Sequence, residues 1–255
     1  MPASYAHYRF GKLLLPDLPS DVRQCIARFR RMYDAGLQGP DFFFYYSPGV
    51  NTATFAMGNS FHMQSGQAFF TRACAAADTE PARAYLYGLL GHYCLDSVVH
   101  PFVNRLDAAG EAGHVPLESE FERFLMELDG VSSPHTFDRG SLFRLTRGEC
   151  MTAAKFYPGV TGGQVCHSIS VMALCARLLA HPNRKLQEWV LNRTVPQFLD
   201  FRLPVELSED LAPYVSRMQE LYFRAMERYP ALLEALTTHL RTGDPLPEAF
   251  SLNFG

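Results

Sequence analysis

Residues 91–101 read GHYCLDSVVHP, and in this stretch His92, Asp96 and His100 recur at every fourth position. Side chains four residues apart lie on one face of an α-helix, about 6 Å apart along its axis. The neighbouring positions are mostly apolar, with Val98 and Val99 as examples. The stretch therefore predicts a buried helix that carries two imidazoles and one carboxylate on a single stripe.

A second polar pair follows fourteen positions after His100, where His114 and Glu118 are again four residues apart. Burying a carboxylate such as Asp96 without a partner costs free energy, and coordination of a metal ion is one of the few good compensations. Imidazole and carboxylate donors without paired cysteines are typical of catalytic zinc sites rather than structural ones. The sequence favours a metal site over the alternative, a core helix with polar residues on its inner face.

Apolar periodicity and capping residues predict an all-α fold, a single multi-helix domain over residues 1–255. The predicted helices run from Ser20 to about Ala35, from Asn59 or Ser60 to about Ala77, from Pro81 to about 98 with an end or a kink at Pro101, from Pro116 to about Leu128, and near 140–155, 162–180, 184–191, 208–228 and 230–241. The aromatic run 42–46 has glycine and proline on both flanks and is predicted to be a loop or extended linker. The polar stretch 130–138 separates a ligand-bearing half, about 1–129, from supporting helices at about 139–255.

Composition and charge narrow the classes of function. The net charge of −3 gives no electrostatic argument for nucleic-acid binding. The six cysteines show no CxxC spacing, and several fall inside apolar helical patterns, as buried free thiols do. The sequence has no recognisable signal peptide, and its apolar runs are too short for a transmembrane segment. We therefore expect a soluble protein of a reducing compartment, most simply the cytoplasm.

Three further candidate ligands, His7, Asp41 and His62, precede the helix. The order along the chain is then His, Asp, His, followed by HxxxD, by a histidine four residues later, and by HxxxE. This order resembles the ligand pattern of the zinc-dependent phospholipase C family, and more distantly that of the P1/S1-type single-strand nucleases. The resemblance covers about residues 1–118 as a motif and only the general helical character beyond them.

The resemblance implies a mostly helical domain with a trinuclear zinc cluster in its cleft. Asp41, His62, His92 and Asp96 would hold one zinc, His100, His114 and Glu118 a second, and His7 a third, to which Asp96 bridges. In the family an N-terminal tryptophan, exposed by signal cleavage, also binds the third ion through its amine and carbonyl. This sequence has no tryptophan near its start, and we expect Pro2 to replace it after removal of Met1.

The function that the resemblance implies is a zinc-dependent, phospholipase C-like phosphoric ester hydrolase, with two to three zinc ions that activate a water to cleave a phosphodiester. Asp41 would be the catalytic carboxylate that orients or deprotonates this water. The expected substrate is a small phosphate ester or a phospholipid, with no stable nucleic-acid complex. Two alternatives remain open. One is a P1-type nuclease, nucleotidase or phosphomonoesterase on the same cluster, and the other is a non-catalytic metal-binding scaffold.

The aromatic residues next to the candidate ligands have two interpretations. The run 42–46 directly follows Asp41, and Phe61 directly precedes His62. Such rings can line a pocket that takes a quaternary ammonium group or a nucleobase, or they can pack in the core. Core packing is the favoured interpretation for each ring. Tyr45 and Tyr46 are the best candidates for a pocket, because each has a polar end to place.

Overall fold

The computed structural model describes residues 4–47, 50, 52–142 and 144–255, and within these ranges it contains helices and irregular segments but no β-strand. The α-helices are α1 (Ser4–Leu14), α2 (Ser20–Arg28), α3 (Arg30–Gly36), α4 (Ala53–His62), α5 (Gly66–Ala76), α6 (Glu80–Ala109), α7 (His114–Leu128), α8 (Arg147–Ala154), α9 (Gly162–Leu179), α10 (Arg184–Thr194) and α11 (Ala212–Thr242). Short 3₁₀ helices lie at Leu15–Asp17, Gly39–Tyr45, Pro134–Thr136, Arg139–Ser141, Pro196–Phe201 and Glu248–Phe250. The predicted all-α, single-domain fold is confirmed.

Helix α6 lies at the centre of the domain, because most of its 30 residues are buried. It packs against α1, α2, α3, α5, α7, α8 and α11, most extensively against α3 and α11. Two glycines allow α3 and α6 to approach closely. A Cβ atom on Gly36 would overlap with the backbone of Tyr85, and one on Gly88 would overlap with the backbone of Tyr33. The ligand-bearing helix is therefore enclosed on several sides by other helices.

Both long helices continue through a proline, whereas the sequence predicted an end or a kink at Pro101 and two separate helices on either side of Pro230. Helix α6 does not end at Pro101 but continues for two more turns, and α11 passes through Pro230, so the helices expected at 208–228 and 230–241 are one element. A proline removes one backbone hydrogen bond from a helix, and burial of residues beyond it, such as Leu106, offsets that loss. None of the described helices is long and apolar enough to cross a bilayer.

Other predicted helices are divided or begin elsewhere. The helix expected from Ser20 is broken at Phe29, whose φ of −123° is not helical. The helix expected from Asn59 or Ser60 begins earlier than expected, as α4. It is interrupted before α5, where the Ser65 side chain accepts a hydrogen bond from the backbone N–H of Ala68. The helix expected near 140–155 begins only at Arg147, after a capping box. These breaks follow from local caps that apolar periodicity does not reveal.

Two of the six cysteines form a disulfide, Cys150–Cys166, which joins α8 to α9. The prediction of free thiols is therefore wrong for this pair, which lies 16 residues apart in the sequence. Packing of α8 against α9 brings the sulfur atoms together, and no short Cys spacing signals it. The other cysteines are free and buried, as expected: Cys25, Cys74, Cys94 and Cys175.

Candidate metal centre

The eight predicted ligand residues converge on the middle of α6. His7 is on α1, Asp41 on the 3₁₀ helix Gly39–Tyr45, His62 at the end of α4, His92, Asp96 and His100 on α6, and His114 and Glu118 on α7. Seven of them form two groups, Asp41, His62, His92 and Asp96, and His100, His114 and Glu118, in each of which one ligand atom per residue lies within 4.8 Å of the others. These groups have the same members as the two sets that the family resemblance implies. Each could hold a metal ion.

The first group is formed by two carboxylates facing two imidazoles. His62 Nε2 lies 2.9 Å from Asp41 Oδ1, and His92 Nε2 lies 3.9 Å from the same oxygen. His92 Nε2 is also 3.1 Å from Asp96 Oδ2, yet neither of these two buried atoms has a hydrogen-bond partner. Buried polar atoms without partners are rare in folded proteins. A cation between the atoms would satisfy both.

Backbone carbonyl oxygens lie within hydrogen-bond distance of Nδ1 in two of the ligand imidazoles. His62 Nδ1 lies 2.8 Å from the carbonyl oxygen of Gly58, and His92 Nδ1 lies 3.2 Å from that of Leu37. A carbonyl can only accept a hydrogen bond, so the proton is on Nδ1 in each ring. Nε2 then faces the centre and is the atom that would bind a metal ion, which is the arrangement that metal-binding histidines require.

The second group is built on Glu118. Its Oε1 lies 3.3 Å from His100 Nε2 and 3.2 Å from His114 Nε2. Glu118 Oε2 and His114 Nε2 are buried without hydrogen-bond partners, whereas His114 Nδ1 is 3.1 Å from the side-chain oxygen of Asn104. Two unpartnered atoms that could bind a metal ion therefore lie in this group too, so it also fits such an ion.

His7 and Asp96 connect the two groups. His7 Nε2 lies 3.3 Å from Asp96 Oδ1, and His100 Nε2 lies 3.6 Å from the same oxygen. The His7 ring stacks on His92, with 4.4 Å between ring centroids, and its Nδ1 is buried without a partner. His7 belongs to neither compact group. Pro2, the residue predicted to assist it, lies outside the described residues.

The imidazoles keep the carboxylates of the centre ionised. Burial raises the pKa of Asp96, but the charges of His100 and His92 outweigh burial and hold that pKa well below its usual range. Burial raises the pKa of Glu118 as well, but the neighbouring His100 and His114 outweigh burial, and this pKa falls to about 2. Conversely, burial lowers the pKa of His100, while Asp96 and Glu118 raise it to about 9. The centre thus holds the ionised carboxylates of Asp96 and Glu118 beside a protonated His100 at neutral pH.

Several residues that the sequence did not single out hold the ligands in place. Gly39 has a φ of +52°, and a Cβ atom there would overlap with the His92 ring. The backbone N–H of Phe254 donates a 3.1 Å hydrogen bond to the carbonyl of His62, and the Phe254 ring lies 5.9 Å from that of His92. Nothing in the local sequence links position 254 to these ligands, because the contact is purely tertiary.

A buried ion pair between Glu122 and Arg139 also escaped prediction. Glu122 accepts a hydrogen bond from the backbone N–H of Tyr5, in the first turn of α1, and so fixes the helix that carries His7. Burial raises the pKa of Glu122 in spite of the Arg139 charge. One signal was available, since Glu122 lies four residues after Glu118 and therefore on the same face of α7.

The aromatic run forms a 3₁₀ helix that is mostly core, rather than the loop or extended linker expected. Phe42, Phe43 and Tyr45 are buried. Phe61 is buried too, with its ring 5.9 Å from that of Phe43. Tyr46 is half-buried, and its ring packs edge-on against His167 at 5.1 Å. Core packing therefore holds for most of these rings.

One ring of the run is in direct contact with a candidate ligand. Phe44 is half-buried and stacks on His62, with 5.4 Å between the ring centroids. It thereby restricts the orientation of this imidazole.

Comparison of the chain with protein-family models, with curated proteins and with solved structures finds no match. The resemblance to phospholipase C is therefore carried by the ordered ligands alone.

Proposed function

We propose that this chain is a zinc-dependent phosphoric ester hydrolase, similar to phospholipase C, that cleaves a phosphodiester. The observation that carries the proposal is the position of Asp96 between the two ligand groups. Its oxygens lie 3.1 Å from His92 Nε2 in one group and 3.6 Å from His100 Nε2 in the other. Ions held by the two groups would therefore be neighbours, the arrangement that suits phosphate esters.

The donor atoms fit zinc. Both groups combine imidazole nitrogens with carboxylate oxygens, and neither contains a cysteine. These are the donors of catalytic zinc sites, and buried unpartnered atoms such as His92 Nε2 and Glu118 Oε2 supply the lone pairs. When bound, neighbouring zinc ions lower the pKa of a water toward neutrality and neutralise the phosphoryl oxygens. The first group and His7 would share Asp96.

Asp41 is the residue proposed to handle the attacking water. Burial raises its pKa, but the His92 charge and the contact with His62 outweigh burial, so the pKa lies below the usual range. Asp41 is consequently an ionised carboxylate at neutral pH, which can orient the attacking water; its lowered pKa makes it a weaker acceptor for the proton of that water. His62 fixes the position of Oδ1 at 2.9 Å.

The proposed substrate is a small phosphate ester or a phospholipid rather than a long nucleic acid. The net charge of −3 offers no general attraction for a polyanion.

A cytoplasmic location remains part of the proposal, and the Cys150–Cys166 disulfide gives a test of it, because disulfides rarely persist in reducing compartments. Thiol labelling of the protein taken directly from its native cells would show whether the pair is oxidised there.

The proposed function is tested by metal content and ester cleavage measured on the same preparations. We expect two to three zinc ions per chain in protein purified without chelator, and fewer in His92→Ala and Glu118→Ala. His239→Ala removes an imidazole far from the ligand groups in sequence and should retain the wild-type content. Activity is measured on bis-p-nitrophenyl phosphate, p-nitrophenyl phosphate, phosphatidylcholine and a single-stranded oligonucleotide.

The outcomes separate the candidate functions. Cleavage of the diester or of the phospholipid that is lost in both ligand variants supports the proposal. Preference for the oligonucleotide or for the monoester would favour the nuclease or phosphomonoesterase alternative on the same residues. Bound zinc that stabilises the fold, with no ester cleaved, would indicate a metal-binding scaffold. Absence of zinc and of zinc uptake would refute the metal centre itself.

A further inference from the structure

Helix α10 (Arg184–Thr194) exposes two of its large apolar side chains. Trp189, the only tryptophan of the chain, is 56% exposed, and Leu186 is 46% exposed. The residues that α10 buries against the domain are Gln187 and Leu191, and the Gln187 amide donates hydrogen bonds to backbone carbonyls at the end of α9. Packing of the domain therefore does not account for the tryptophan.

The exposed residues form one continuous face. At 3.6 residues per turn, Lys185, Leu186, Trp189 and Arg193 lie within an arc of about 100°, opposite the buried side of the helix. We call these four residues the Trp189 face. The Arg193 guanidinium lies over the indole ring, 4.4 Å from its centroid, and donates a 3.2 Å hydrogen bond to the Trp189 carbonyl. The tryptophan and the cation are thus held side by side.

The face carries unbalanced positive charge. Glu188, the acidic residue of α10, is paired with Arg202 at 3.0 Å. Lys185 and Arg193 have no carboxylate partner among the residues that the structure describes, and both are exposed. An apolar centre flanked by two cations without carboxylate partners is complementary to a surface with an anionic outer layer and an apolar interior.

We propose that the Trp189 face binds an anionic lipid surface. Tryptophan rings favour the headgroup level of a bilayer, where Leu186 can reach the acyl boundary and the two cations can contact lipid phosphates. A second copy of the chain fits less well. One tryptophan and one leucine, each about half exposed, offer far less than the roughly 800 Å² per partner of a stable dimer, and the cations would face each other.

The test uses the full chain and vesicles of phosphatidylcholine, with or without phosphatidylglycerol. The single tryptophan reports its own environment, so we expect a blue shift of its emission and co-flotation only with the vesicles that contain phosphatidylglycerol. The variant Lys185→Gln/Arg193→Gln should bind about 25-fold more weakly, about fivefold for each charge lost. Trp189→Ser should also lose flotation.

Two control variants lie outside α10. Arg147→Gln/Arg241→Gln removes two exposed cations, and Leu174→Ser removes an apolar side chain that is 64% exposed. Both should float as the wild type does. Equal binding of the α10 and control variants, equal binding to pure phosphatidylcholine, or a blue shift caused by self-association or by an oligonucleotide without vesicles would overturn the proposal. Binding is independent of ester cleavage, so a failure of the proposed hydrolase activity would leave this inference standing.

Discussion

Replacing Asp96 by asparagine removes a charge but hardly changes the volume of the side chain. Asp96 is 2% exposed, and three imidazole nitrogens lie between 3.1 and 3.6 Å from its oxygens. Removing one partner from a buried charge network costs about 3–5 kcal/mol. For a chain of this length each kcal/mol lowers Tm by about 2–4 °C, so we expect a fall of about 6–20 °C.

The same variant should lose metal. Asp96 belongs to the first ligand group and is the carboxylate nearest to His7, whereas the second group consists of other residues. We therefore expect the zinc content of Asp96→Asn to fall from two to three ions to about one per chain. Metal content is measured on protein purified without chelator, and Tm is measured by calorimetry before and after chelation. Chelation should lower Tm strongly in the wild type and less in the variant, because bound ligand stabilises the fold.

Asp138→Asn is the matched control. The Asp138 side chain is 43% exposed and pairs with Arg177 at 3.3 Å. Exposed pairs of this kind contribute about 0–1 kcal/mol, so Tm should fall by less than about 4 °C and the zinc content should not change. If Asp96→Asn kept the wild-type zinc content and had the same Tm as Asp138→Asn, Asp96 would not be a ligand, and the argument for neighbouring ions would fail.

Three further predictions concern the His100 imidazole, the glycine beside His92, and the disulfide. The pKa of His100 is raised to about 9, so the free energy of unfolding of metal-free protein should fall by roughly 3 kcal/mol as pH rises from about 6.5 through 9. Zinc affinity should rise over the same pH range, because His100 must lose its proton to bind zinc. Denaturant titrations and zinc titrations at several pH values check both trends, and a flat zinc affinity would contradict them. Gly39→Ala should displace His92 and lower zinc content, whereas Gly110→Ala, at a similar φ of +68° with open space around it, should cost about 1 kcal/mol and leave zinc bound. Cys150→Ser should lower the free energy of unfolding by about 3 kcal/mol, since the disulfide closes a loop of 16 residues. A reductant should lower Tm in the wild type but not in Cys150→Ser. If the reductant left the Tm of the wild type unchanged, that would argue against a disulfide.

Prediction from sequence worked best where the signal was periodic. The four-residue spacing in α6 and the pair at the start of α7 required only helical geometry to place their side chains on one face. Helix ends were harder to predict. A proline marks the end of many helices, but in α6 the buried residues beyond Pro101 keep the helix intact. The Ser65 cap, in contrast, divides a segment whose apolar pattern looks continuous.

The sequence by itself determined the all-α class and the ligand stripe of α6, because both depend on spacing within one helix. The tertiary structure decided which ligands share a group, since Asp41 and His62 meet the α6 stripe only after the 3₁₀ helix Gly39–Tyr45 has packed against α4 and α6. It also decided the contacts of Phe254 with His62 and the pairing of Cys150 with Cys166. Contacts between residues far apart in the chain depend on how whole helices pack, and local spacing carries no record of that packing.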